Sequence, residues 1–259
     1  MLDELFAGSI ADAEERRQSV SLAQVEKTAL AQAPALNTLE WLAPADTIKI
    51  LAEVKRASPS KGQMAEIADP AALAKTYADN GASAISVLTE GRRFKGSLED
   101  LVAVRAEVAV PLLRKDFIAN EYQILEARAA GADIVLLIVA GLEQKDIQRL
   151  KLFVEELGMT AFIETHSSDE LKRAIDLDTK MVGVNARDLS TFETDRDLFA
   201  KLVHLIPEGV IKVAESAVRT AQDVAHYRSA GADVALVGEA LVTNDPAAML
   251  KSFLLAGDS

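Results

Sequence analysis

From Ile48 onward two textures alternate along the chain: short apolar runs rich in Val, Ile and Leu, and longer, charged, Ala-rich stretches of helical character. The apolar runs are IKILAEVK from Ile48, AISVLTE from Ala84, PLLRKDF from Pro111, DIVLLIVA from Asp133, TAFIETH from Thr160, MVGVNAR from Met181, VIKVAES from Val210 and DVALVGEA from Asp233, eight in all. Each is too short for a helix, and several are apolar at both parities, as a strand covered on both faces must be. The gaps supply the crossover of a dozen or more residues that parallel strands require. NGASAISV (Asn80–Val87), AGADIVLLIV (Ala130–Val139) and AGADVALVG (Ala230–Gly238) echo one another as helix end, glycine stop and strand. Gly81, Gly131 and Gly231 are therefore expected just past helix ends, where a positive φ is wanted.

Eight strand–helix units either close into a barrel or form an open, doubly wound sheet. The count favours closure, and no GxGxxG follows the first strand to favour a dinucleotide fold. The expected fold is α/β, a single (β/α)8 TIM barrel domain over residues 1–259. Residues 1–47 precede the first strand and are expected to form an N-terminal helical extension packed on the barrel, with Leu2, Leu5, Phe6 and Ile10 near helical spacing and PALNTLEWLAP as a connector. Trp41, Met64 and Met159 read as packing residues.

Composition narrows the function. The chain has 259 residues, of which Lys+Arg number 28 and Asp+Glu 40, a net charge of −12. Phosphate backbones and anionic membranes are held by clustered Lys and Arg, and no such run is present, so nucleic acid and membrane are not expected partners. Cys 0 excludes disulfides, thiolate chemistry and Cys-ligated metals. The start, MLDELFAGSIADAEERRQ, carries acids where a secretory leader carries a basic region and an apolar core, and no apolar run reaches ~18 residues. The expected location is the cytoplasm. His166, His204 and His226 fall into no metal or triad spacing, so no metal is expected.

Ionisable residues interrupt the strands at one level. Side chains alternate along a strand, so Leu51, Glu53 and Lys55 point one way and Ile50, Ala52 and Val54 the other. The apolar set suits the helix-facing side, which sends Glu53 and Lys55 into the barrel. The same parity groups Lys115 with Leu113, Glu164 with Phe162, Asn185 and Arg187 with Gly183, and Glu215 with Val213. All lie at C-terminal strand ends, where barrels of this kind build their chemistry. A single charged strand end is ordinarily a solvated rim residue; convergence from five strands points to a substrate-facing site with mutually tuned pKa values. Small residues after the seventh and eighth runs, Ser216 and Gly238, fit the phosphate cradle common at that place in the fold, with Gly238 expected to admit a close backbone approach by the ligand.

EVKRASPSKG (Glu53–Gly62), LTEGRRFKGSLEDL (Leu88–Leu101), LLRKDF (Leu112–Phe117), VGVNARDL (Val182–Leu189), VAES (Val213–Ser216) and LVGEALV (Leu236–Val242) together resemble the indole-3-glycerol-phosphate synthases of tryptophan biosynthesis, over essentially the whole chain. The resemblance implies a decarboxylating, dehydrating lyase that converts 1-(2-carboxyphenylamino)-1-deoxy-D-ribulose 5-phosphate to indole-3-glycerol phosphate. The anilino nitrogen serves as the electron sink, so no cofactor is implied. It further implies Lys115 as the acid at the carbonyl and Glu164 as the proton exchanger. Glu53 and Lys55 become a coupled pair for dehydration, and Asn185 and Arg187 orient hydroxyls and carboxylate. Glu215 binds a sugar hydroxyl or relays protons. Ser58, Pro59, Phe94, Arg187 and Leu189 become substrate contacts, with Phe94 and Pro59 as aryl-stacking and lid residues, and Ser216, Ala217, Gly238 and Glu239 become phosphate contacts. Acid–base catalysis of this kind favours a lysine balanced near neutrality. The implied partner is the small phosphorylated substrate, with either a monomer or an association with other tryptophan-pathway enzymes allowed.

Two positions depart from the family pattern. Ala217 stands where the family usually has Gly, at a cost of ~1 kcal/mol if φ there is positive. Glu239 stands where many members have Ser or Thr, and its carboxylate would repel a phosphate unless turned away. The alternatives are a phosphoribosyl isomerase of the same barrel class, against which Cys 0 argues, and a catalytically reduced paralogue that only binds a phosphorylated ligand.

Overall fold

The computed structural model describes residues 1–188, 191 and 193–257. Its strands are β1 (Lys49–Val54), β2 (Ala84–Leu88), β3 (Leu112–Lys115), β4 (Ile134–Ile138), β5 (Thr160–Thr165), β6 (Met181–Asn185), β7 (Ile211–Glu215) and β8 (Val234–Val237). Each pairs in parallel with its neighbour in sequence, and β1 pairs with β8 in the register Lys49↔Val234, which closes the barrel. The expected closed (β/α)8 barrel is the fold observed.

Helices α1 (Leu2–Ser19), α2 (Leu22–Ala31) and α3 (Thr38–Trp41) precede β1. The crossovers carry α4 (Pro70–Asp79), α5 (Leu98–Glu107), α6 (Glu121–Ala129), α7 (Gln144–Glu156), α8 (Ser168–Ile175), α9 (Leu198–Leu202) and α10 (Ala221–Ser229), and α11 (Glu239–Val242) and α12 (Pro246–Gly257) follow β8. Side-chain caps mark several starts: Asp69, Ser97, Asn120 and Ser167 each accept from a backbone N–H in the first turn. Gly81, Gly131 and Gly231 have φ of 94°, 87° and 95°, the left-handed helix ends expected of them. The connector before β1 contains the one-turn helix α3, nucleated by Asn37 as its cap. Trp41 on it is 43% exposed, so it is a surface residue and not the packing residue expected.

Strand parity divides the apolar residues into two layers. Ile50, Ala52, Val54, Val135, Ile163 and Val184 pack outward against the helices. Leu51, Leu113, Leu136, Phe162, Met181, Val213 and Leu236 fill the barrel itself. Leu5 and Phe6 of α1 join that inner cluster, with Phe6 edge-on to Phe117 at 5.6 Å. α1 is further tied to β3 by a buried polar chain. Ser9 donates to Asp116 (3.0 Å) and accepts from Gln123, while Arg114, fully buried, donates to Asp116 and to the Gln123 carbonyl. Arg16 of α1 pairs through two nitrogens with Glu126, at 2.5 and 2.8 Å.

Candidate active site at the C-terminal rim

The inward parity of β1 delivers Glu53 to the rim, buried, with a carboxylate oxygen 2.5 Å from Lys55 Nζ. This pair occupies space that only glycine leaves. A Cβ on Gly238 would stand 2.3 Å from Glu53 Oε2 and 3.0 Å from Lys55 Nζ, so the missing side chain serves the ion pair, where the sequence had assigned that room to the ligand. Gly183 does the same for Glu215, whose Oε1 lies 2.2 Å from where a Cβ would sit.

At the centre, Lys115 Nζ donates to Glu164 Oε2 (3.1 Å) and lies 3.9 Å from Glu215 Oε2. Asn185 Nδ2 donates to Glu164 Oε1 (3.1 Å), while Asn185 Oδ1 accepts from the Ser216 hydroxyl (2.8 Å) and the Arg187 N–H (3.0 Å), which fixes the amide orientation. Burial opposes the charge on Lys115, but Glu164, Glu215 and Glu53 outweigh it and hold the pKa above the ordinary lysine value. The lysine keeps its proton and is not balanced near neutrality, because these carboxyl groups surround it. Burial also opposes the Glu164 charge, and Lys115, His166 and Asn185 overcome this and hold it well below the carboxylate range. Glu215 is pushed the other way, first by burial and then by the Glu164 charge. Two neighbouring carboxyl groups with opposed shifts behave as an ionised member and a proton-holding member. Glu215 Oε1 has no hydrogen-bond partner within the protein.

These groups line one cavity of about 440 Å³, together with Ser58, Pro59, Phe94, Arg187, Ser216, Ala217, Gly238 and Glu239. Phe94 is presented by a loop wound around the buried Glu90 carboxylate, which accepts from the N–H groups of Arg92, Arg93 and Phe94 at 2.9, 2.7 and 2.8 Å. Its ring lies 6.1 Å from that of Phe117. After β7 the backbone turns left-handed twice, with φ of 68° at Ser216 and 60° at Ala217. Glu239 faces Lys61, on the hairpin formed by Ala57–Ser58 and Gly62–Gln63, and this ion pair turns its carboxylate to a cation. No group of His, Asp and Glu suited to a metal ion occurs among the described residues.

The family model for indole-3-glycerol phosphate synthase matches residues 2–253. The chain belongs to the indole-3-glycerol phosphate synthase family. A relative of that name from Leifsonia xyli is 62% identical over 253 residues, covering 98% of this chain and 97% of its own. One from Beutenbergia cavernae is 52% identical over 258 residues, covering 99% and 96%. Among solved structures, the N-acetylmannosamine-6-phosphate 2-epimerase from Clostridium perfringens superposes with a TM-score of 0.62 at 14% identity, covering 82% of this chain and 93% of that one. Thiamine phosphate pyrophosphorylase from Pyrococcus furiosus gives 0.60 at 12% identity, covering 82% and 95%. Those two likenesses concern the barrel alone. Membership in the synthase family decides against the isomerase alternative.

Every candidate site residue named from the sequence lines the cavity except Leu189, which lies outside the described residues. The wall also holds residues the sequence reading passed over. Leu5 comes from α1, Asp116 follows Lys115, Arg196 and Arg219 stand on the loops beyond β6 and β7, and Met64, expected as a packing residue, lines the cavity instead. His166, which fits no metal or triad spacing in the sequence, stands with Nε2 3.1 Å from Glu164 Oε1. Its position two residues beyond Glu164 gives it the same inward parity, a signal already present in TAFIETH.

Proposed function

We propose that this site performs the reaction for which the synthase family is named: ring closure of 1-(2-carboxyphenylamino)-1-deoxy-D-ribulose 5-phosphate with loss of CO2 and water, in tryptophan biosynthesis and in the cytoplasm. The chain is a member of a decarboxylating lyase family. The observation that carries the residue assignment is the contact of Lys115 with Glu164 and Glu215 inside one cavity.

The ring carbon that bears the carboxylate attacks the ribulose carbonyl, and Lys115 gives its ammonium proton to the oxygen as charge develops there. The anilino nitrogen becomes an iminium. The carbon–carboxylate bond then breaks, CO2 departs, and its electron pair restores the aromatic ring and neutralises the nitrogen. The new hydroxyl leaves as water after protonation, and loss of a proton from the adjacent ring methylene completes the indole. Glu164, ionised and beside Lys115, takes protons; Glu215, which holds one, gives a proton or binds a sugar hydroxyl through its unpartnered oxygen. Glu53 and Lys55 serve the dehydration and the substrate carboxylate. Arg187 supports the carboxylate through its planar fork. Phe94 and Pro59 cover the aryl end with Ser58, and the phosphate lies by Ser216, Ala217, Gly238 and Glu239.

The test is direct. The purified chain given this substrate is expected to release indole fluorescence, and Lys115→Met is expected to lose turnover at least ~10²-fold while substrate affinity changes little. Equal loss of affinity and turnover would remove Lys115 from the acid's role.

A further inference from the structure

Glu164 carries the reaction proposed above only if its carboxylate keeps one orientation, with Oε2 toward Lys115 and Oε1 toward Asn185. A carboxylate at a strand end has a torsion free to rotate, and the two hydrogen bonds engage one oxygen each. A third group bears on Oε1. His166 extends from the residue two beyond, its side chain 9% exposed, with Nε2 3.1 Å from Glu164 Oε1. The contact is an ion pair when the imidazole is protonated. The imidazole is itself held from behind: Glu170 of α8 places Oε2 3.2 Å from Nδ1, and the same oxygen accepts the His166 backbone N–H at 2.8 Å. Glu170 is in turn fixed by the helix start, where its N–H donates to the Ser167 hydroxyl at 3.2 Å.

We propose that His166, clamped between Glu164 and Glu170, is a positioning residue that holds the Glu164 carboxylate ionised and correctly turned toward Lys115 and Asn185. It is not among the residues that line the cavity. The imidazole is buried, which by itself opposes its charge, yet the two carboxylates raise its pKa to about 10. It therefore stands as a cation through the neutral range. The titratable groups facing Glu164 are Lys115 on β3, Glu215 on β7 and His166 just past the end of β5; Glu53 on β1 acts on Lys115. Removing one of the two cations weakens the hold on the Glu164 charge, and the carboxylate then takes up a proton at higher pH.

The inference rests on the ring-closure reading, and its experiment separates the two. If the unaltered chain forms no indole from the substrate, the reading fails; if it does, the variants decide the inference. His166→Phe keeps the ring's bulk without its charge, and Glu170→Gln loosens the imidazole from the helix side without touching the barrel. For His166→Phe we expect kcat to fall at least ~10-fold with KM within ~3-fold, and the acidic limb of the kcat profile to move up by about one pH unit. Glu170→Gln is expected to move that limb the same way by less. A merely structural role would lower the melting temperature or the active fraction and leave the limb in place. An unmoved limb in Glu170→Gln, with or without a folded His166→Phe, overturns the inference.

Discussion

Single residues in this site are placed at a measurable cost to stability. Ala217 holds φ at 60°, a conformation in which its Cβ crowds the following carbonyl. Ala217→Gly removes that crowding, and despite the larger freedom glycine gains in the unfolded chain, we expect a gain of about 1 kcal/mol in the free energy of unfolding, read from urea titration at pH 7. The Glu239 carboxylate, by contrast, is accommodated by its ion pair with Lys61 on the hairpin. Glu215 is the opposite case. Burial and the charge on Glu164 favour its protonated form in the folded state, so raising the pH penalises folding. Glu215→Gln keeps the shape of the neutral acid and should be more stable than the parent at pH 8, with the difference widening as pH rises, while ring closure is lost. Equal stability at pH 8 would show that the carboxyl is ionised there without penalty.

At the scale of elements, α1 and β3 are joined by polar contacts inside the protein and not by apolar packing alone. Arg114 is fully buried and donates to Asp116, with Glu126 3.4 Å away, so its charge is compensated only inside this chain of contacts. Arg114→Met leaves two buried carboxylates short of a cation, and breaking one partner of such a pair costs ~3–5 kcal/mol, to be measured as a lowered denaturation midpoint. The residue lies next to Lys115, so α1 and the Lys115 side chain on β3 share one support. The strands were legible from alternation because their two faces meet different surroundings: Leu51 and Glu53 one packed interior, Ile50 and Val54 the helices. The same rule brought Lys115, Glu164, Asn185 and Glu215 to one level. What alternation does not reveal is contact between segments far apart in sequence. Ser9 meeting Asp116, Leu5 entering the cavity wall and Lys61 meeting Glu239 depend on how loops and the leading helix drape over the rim. The one-turn α3 was hidden in a proline-bounded connector because four residues carry too little periodicity to read.

For the whole molecule, the shifted groups set a stability profile with two declining sides. Burial works against the charged forms of Asp116, Glu164 and Asp223, but neighbouring cations and hydrogen bonds hold all three below the usual carboxylate values. Their contribution is present above an unfolded pKa near ~4 and is lost as pH falls through the lower folded values. His166 acts with the reverse sign: its contribution is full below ~6.5 and fades as pH rises to the folded value of about 10, and Glu215 adds to the same side. Unfolding free energy measured from pH 2 to 10 is therefore expected to peak between about pH 5 and 7, and His166→Phe should flatten the alkaline side. A profile that climbs steadily to pH 10 would contradict these assignments.

Closure of the barrel by Lys49 against Val234 has a consequence for biogenesis. A ribosome adding ~5–20 residues per second needs on the order of 10–40 s to travel from the first staves of the cylinder to the last. Throughout that interval the nascent polypeptide exposes an unsealed seam, and Glu53 and Lys55 wait without the glycine that gives them room. Competence for chemistry thus arrives in a single late event, which makes the C-terminal third of translation the period in which a chaperone would matter most.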